Sequence, residues 1–143
     1  MKKCIFICLM FAFFNFFNTS AQSLSQKVTD AKNTLNWNGF TVIETYSLSA
    51  TESSEDFVFR KIYGDHQYAI IAVGESGITD LDFCIQDSYE FDILCDEEEG
   101  DYGSAEIVWY QDYDEWVYLT AKIYDAYNYW DYFDIVIVLG YKN

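Results

Sequence analysis

The chain has 143 residues, 24 acidic against 8 basic side chains, a formal net charge of −16, and 20% aromatic residues. A surface of that sign repels DNA, RNA and anionic lipid, so nucleic acid is excluded as a partner, while divalent cations, neutral glycans and basic proteins stay admissible. The length suits one domain around one core.

Met1-Lys2-Lys3, the apolar run Cys4 to Phe17, and Asn18-Thr19-Ser20-Ala21 form a basic, apolar and small-residue series that reads as a secretory signal cleaved after Ala21. The run is short for a bilayer span and is broken by Asn15, so no membrane insertion is expected. Neither Cys4 nor Cys8 follows a lipid-attachment pattern, and the expected destination is the periplasm or the cell exterior. Removing residues 1–21 from 143 leaves 122, and loss of Lys2 and Lys3 takes the charge from −16 to −18.

Leu24, Val28, Ala31 and Leu35 recur at helical spacing, predicting a short amphipathic helix within an extension over residues 22–38. Gly39 can supply the left-handed residue that ends it. From Phe40 the period becomes two, opening a β domain over residues 39–143. Phe40, Val42, Tyr46 and Leu48 alternate with polar residues, as do Phe57, Phe59 and Ile62 after an acidic Ser-rich turn. Tyr68 to Val73 is apolar on both faces, as expected of a strand buried between layers. An Asp80-Leu81-Asp82 strand, Phe91 to Cys95, Ser104 to Tyr110, Trp116 to Tyr124 and Tyr132 to Leu139 complete about eight strands at near-regular spacing. That is the pattern of an all-β sandwich or barrel. Its large inward residues are expected to be Phe57, Phe59, Tyr68, Trp109, Trp116 and Phe133.

Cys84 and Cys95 are the two cysteines left after signal removal, and in an oxidising compartment they are expected to form a disulfide. The alternative, a zinc site, lacks ligands, since His66 is the sole imidazole. A hairpin turning about Tyr89-Glu90 with a two- or four-residue loop sets Cys84 opposite Cys95, Ile85 opposite Leu94 and Gln86 opposite Ile93; the four-residue loop, Ser88 to Phe91, flanked by Asp87 and Asp92, puts the cysteines at a non-hydrogen-bonded position.

Lys61-Ile-Tyr-Gly-Asp-His-Gln-Tyr-Ala-Ile-Ile-Ala-Val-Gly, then Thr79-Asp-Leu-Asp-Phe, Asp87, Asp96 and Trp116-Val-Tyr-Leu-Thr-Ala together resemble the bacterial pre-peptidase C-terminal domain family over about residues 56–139. The resemblance implies a jelly-roll-like antiparallel sandwich with a non-catalytic binding or export role. The chain departs from the family pattern in lacking the usual glycine of the hairpin turn, with Glu90 near that place, and in having Asp114-Glu115 in place of Thr-Gly.

No enzyme is expected: both cysteines are assigned to a disulfide, no strained nucleophile elbow is present, and His66 lies in a turn. Asp80, Asp82, Asp96, Glu98 and Asp101 are hard oxygen donors gathered near one hairpin, the kind of set that calcium takes. The competing role for Asp80 and Asp82 is to accept hydrogen bonds from turn amides. Tyr127, Tyr129 and Trp130, interleaved with Asp and Asn, are candidates to contact a ligand or partner, the competing role being to pack over the end of the sandwich. The sequence thus predicts a secreted, non-catalytic β-sandwich that binds a glycan or a protein, the alternative being a calcium-stabilised structural domain.

Overall fold

A computed structural model describes residues 22–97 and 103–143; the predicted signal segment, Glu98 and Asp101 lie outside the described residues. The chain order is helix α1 (Leu24–Trp37), then β1 (Thr41–Ala50), β2 (Glu55–Ile62), β3 (His66–Gly74), β4 (Ile78–Gln86), β5 (Asp92–Asp96), β6 (Ser104–Gln111), β7 (Glu115–Ala126) and β8 (Phe133–Lys142). Two four-stranded sheets run β1-β8-β3-β6 and β2-β7-β4-β5. All pairings within them are antiparallel, and β1 joins β8, β2 joins β7, β3 joins β6 and β4 joins β5. That is one long hairpin rolled across itself, the jelly roll, as expected.

The core lies between the sheets. Ile70 and Ala72 of β3 and Ile135, Ile137 and Leu139 of β8 face Leu81, Phe83 and Ile85 of β4 and Val117, Leu119, Ala121 and Ile123 of β7. Every residue from Tyr68 to Gly74 is buried. Their alternate set, Ala69, Ile71 and Val73, points the other way, where α1 covers them with Ala31 and Leu35. Ser23 caps α1 by accepting from the Gln26 amide at 3.3 Å. At the other end Gly39 adopts φ +81°, and the Phe40 and Gly39 amides reach back to the Leu35 and Asn36 carbonyls at 3.0 and 3.1 Å. This doubly bonded glycine stop aims the chain straight into β1. Lys27 is buried under the helix, where its Nζ donates to the Gly74 carbonyl at 2.8 Å, and burial lowers its pKa.

Three of the expected core aromatics are placed otherwise. Tyr68 and Phe133 are buried and Trp109 packs half-buried against the core, but Phe57, Phe59 and Trp116 are exposed. A period of two says that faces alternate without saying which face points inward. In β7 the inner odd positions, Val117, Leu119, Ala121 and Ile123, are aliphatic and fill the core; the even set includes Thr120 and Lys122 and turns outward.

The hairpin between β4 and β5 keeps Cys84 opposite Cys95 and Ile85 opposite Leu94, then a bulge sets Gln86 against Asp92. Gln86 opposite Ile93 is therefore corrected by one residue, and Ile93 is half exposed to solvent. The loop is Asp87 to Phe91, held by Asp87 Oδ1 accepting from the Tyr89 and Phe91 amides at 2.8 and 3.0 Å. Asp87 N also donates to the Phe91 carbonyl at 2.9 Å. This carboxylate clamp needs one more residue than the expected loop, and the bulge absorbs it. Cys84 and Cys95 form a disulfide with Cα atoms 4.2 Å apart, the close approach of a non-hydrogen-bonded pair. Among the described residues no helix is long and apolar enough to cross a membrane.

Candidate functional site

The two outer faces of the sandwich are not equivalent. The middle of the first sheet's outer face, on β3 and β8, is covered by α1, whereas the second sheet presents a row of rings that no other element covers among the described residues. Registers build this face strand by strand. Phe59 of β2 lies opposite Tyr118 of β7, which lies opposite Gln86 of β4 and then Asp92 of β5. The next row reads Phe57, Thr120, Cys84 and Cys95. Trp116 stands opposite Lys61 at one end, and Lys122 stands between Glu55 and Asp82 at the other.

Phe57, Phe59 and Trp116 are 52%, 44% and 50% exposed. Phe59 stacks on Trp116 with centroids 5.2 Å apart and lies 4.5 Å from Tyr118, whose ring meets Phe57 edge-on at 5.1 Å. Each ring fixes its neighbour, so the stripe is held in shape by cross-strand pairs on a rigid sheet. Beside it Thr120 Oγ1 donates to Gln86 Oε1 at 2.9 Å and Gln86 Nε2 donates to Asp92 Oδ1 at 2.9 Å. The amide is thereby oriented, and Asp92 is open to solvent.

Turn geometry fixes the Trp116 end. A Cβ on Gly64 would come within 2.6 Å of the Tyr113 backbone, so only glycine lets the β2–β3 turn lie against the β6–β7 turn. There the Gly64 amide donates to Asp114 Oδ1 at 3.0 Å, and Asp114 Oδ2 pairs with Lys61 Nζ at 2.8 Å. The hydrogen-bonded pairing raises the Lys61 pKa and lowers that of Asp114.

Tyr127, Tyr129 and Trp130 lie in the β7–β8 connection, at the far end of β7 from Trp116. They are 83%, 48% and 80% exposed, and Tyr129 and Trp130 meet at right angles with centroids 4.8 Å apart. Asn128 shapes the loop, donating from Nδ2 to Asp131 Oδ2 at 2.7 Å, while the Tyr127 amide donates to the Gly77 carbonyl at 2.9 Å. From Trp116 to Tyr127 the strand spans about 35 Å, so the loop rings and the face rings are separate surfaces.

Of the carboxylates expected to suit calcium, Asp80, Asp82 and Asp96 fall among the described residues, and Glu98 and Asp101 do not. Asp80 is buried, while Asp82 and Asp96 are half-buried; Asp96 Oδ2 accepts from the Glu106 amide at 2.7 Å. Among the described residues one group of three potential ligand atoms lies within 4.8 Å of each other, that of Cys84, Cys95 and Glu97, and its two sulfurs are bonded together. Burial, then the charges of Asp80 and Glu97, push the Asp82 carboxyl up, opposed by Lys122. Burial and the neighbouring Asp96 push Glu106 on β6 to about 7. His66 opens β3 with its ring 5.3 Å from that of Tyr141, and its Nδ1 is buried without a hydrogen-bond partner among the described residues.

The face of Phe57, Phe59, Trp116 and Tyr118 escaped the sequence reading, which placed three of these rings inside. A usable signal exists in β7, where from Trp116 to Tyr124 one parity is aliphatic and the other mixes rings with Thr and Lys. No protein-family model and no curated protein matches the chain.

Proposed function

We propose that this chain is a non-catalytic, extracytoplasmic binding module, of the kind that the pre-peptidase C-terminal domains represent, and that it engages a glycan or a protein through exposed aromatic side chains. The observation that carries this reading is the asymmetry of the sandwich: a helix packs over the middle of one outer face, on β3 and β8, while the other keeps a shaped row of half-exposed rings that no described element covers. Rings held open to water on a rigid sheet cost hydration free energy in the free protein, and a ligand that covers them recovers it. The disulfide accords with an oxidising compartment.

Fluorescently labelled protein applied to envelope and extracellular material of the producing cell tests the reading. Retention should saturate, compete with unlabelled protein, and weaken at least fivefold in either Phe59→Ala/Trp116→Ala or Tyr127→Ala/Trp130→Ala. Retention that never saturates, or that both variants leave unchanged, would end it.

A further inference from the structure

The uncovered face has a composition that selects among ligands. Its β2 and β7 half is aromatic, and its β4 and β5 half carries an amide and a carboxylate in a fixed hydrogen-bonded chain, Thr120 to Gln86 to Asp92. Charged side chains of both signs bound the strip at either end, Lys61 with Asp114 beyond Trp116, and Glu55, Lys122 and Asp82 beyond Phe57. A broad apolar protein surface laid here would have to desolvate those charges. A second copy of the chain, at net charge −16, would meet its own repulsion, as would any polyanion.

A slim, uncharged chain with apolar faces and hydroxyl edges meets none of these obstacles. We infer that the outer face of the second sheet binds a neutral glycan chain, its sugar rings lying against Trp116, Phe59 and Tyr118 and its hydroxyls meeting Gln86 and Asp92. This rests on the binding-module reading and narrows it to one ligand class and one surface. The stripe runs along β2 and β7, and two residues along a strand advance by about 7 Å, so successive rings of the stripe offer successive contacts to an extended polymer. Sugar binding to such surfaces is weak per residue and grows with chain length.

The test is affinity electrophoresis of the intact chain through gels holding soluble neutral polysaccharides (a β-glucan, a xylan, a mannan or a galactan) or the anionic polygalacturonate. At least one neutral polymer should retard the protein, and polygalacturonate should not. Trp116→Ala and Phe59→Ala should each weaken retardation tenfold or more, and Asp92→Ala threefold or more. Trp116→Leu keeps an apolar side chain in the strand and should lose binding while retaining the far-ultraviolet circular dichroism of the parent. Tyr127→Ala/Trp130→Ala should change affinity less than twofold.

Retardation abolished by the loop variant and not by the face variants would overturn the inference and leave the binding-module reading standing. So would an absence of retardation in every neutral gel, with saturable envelope retention that protease treatment destroys, since the ligand would then be a protein. Absence of both retardation and envelope retention would overturn the two together.

Discussion

Glu106 shows how one residue can make this fold pH-sensitive. Its carboxyl, lifted to about 7 by burial and then by Asp96, holds its proton more tightly in the folded chain than in the unfolded one. A raised acid contributes stability that is fully present below its unfolded pKa and is lost as pH rises through the folded value. Between pH 5 and pH 8 the wild type should therefore lose about 1–3 kcal/mol relative to Glu106→Gln, which carries no titrating proton. Urea denaturation of the two chains across that range checks this, and parallel pH profiles would contradict it. At the same scale, sequence was a good guide where chemistry left one option, as with Cys84 and Cys95, and a poor one where both strand faces are apolar. Phe57, Phe59 and Trp116 are large enough to fill a core, and size outweighed the Thr and Lys of the same parity in β7. Glu90 is a further case: its φ of +65° puts a non-glycine residue in the left-handed region within the Asp87 to Phe91 loop.

Among the elements, the β4–β5 hairpin has the shortest strand, with β5 only five residues long and at the edge of its sheet. An edge strand this short draws little from ladder bonds, and the disulfide holds it to β4 by closing a loop of 11 residues' separation. Cys84→Ser/Cys95→Ser should cost about 2–3 kcal/mol, read as a lower urea midpoint, and reduction of the wild type should move the midpoint likewise. An unchanged midpoint in both would contradict this. The hairpin was legible in the sequence as far as Ile85 opposite Leu94. Beyond that point the Asp87 clamp, a side-chain contact that strand periodicity does not encode, added a residue to the loop and slipped Gln86 to Asp92. The helix was legible for the opposite reason, since its apolar spacing, its end at Gly39 and the doubly apolar β3 beneath it all gave the same answer.

At the scale of the whole molecule, eight alternating strands in one chain of this length fold as two sheets because neither sheet can bury its apolar face alone. Strand count and a sandwich were legible from spacing; strand periodicity alone does not encode which strands become neighbours. What spacing could not convey is the asymmetry of the two outer faces, because it depends on α1 folding back across β3 and β8 and leaving β2 and β7 bare. The central claim is that the bare face is the ligand surface. Amide chemical-shift mapping during titration with a retarding neutral polysaccharide tests it most directly. The largest changes should fall in residues 57–61 and 116–120 with the Gln86 and Asp92 amides; changes confined to residues 127–132, or to the α1 side of the sandwich, would contradict it.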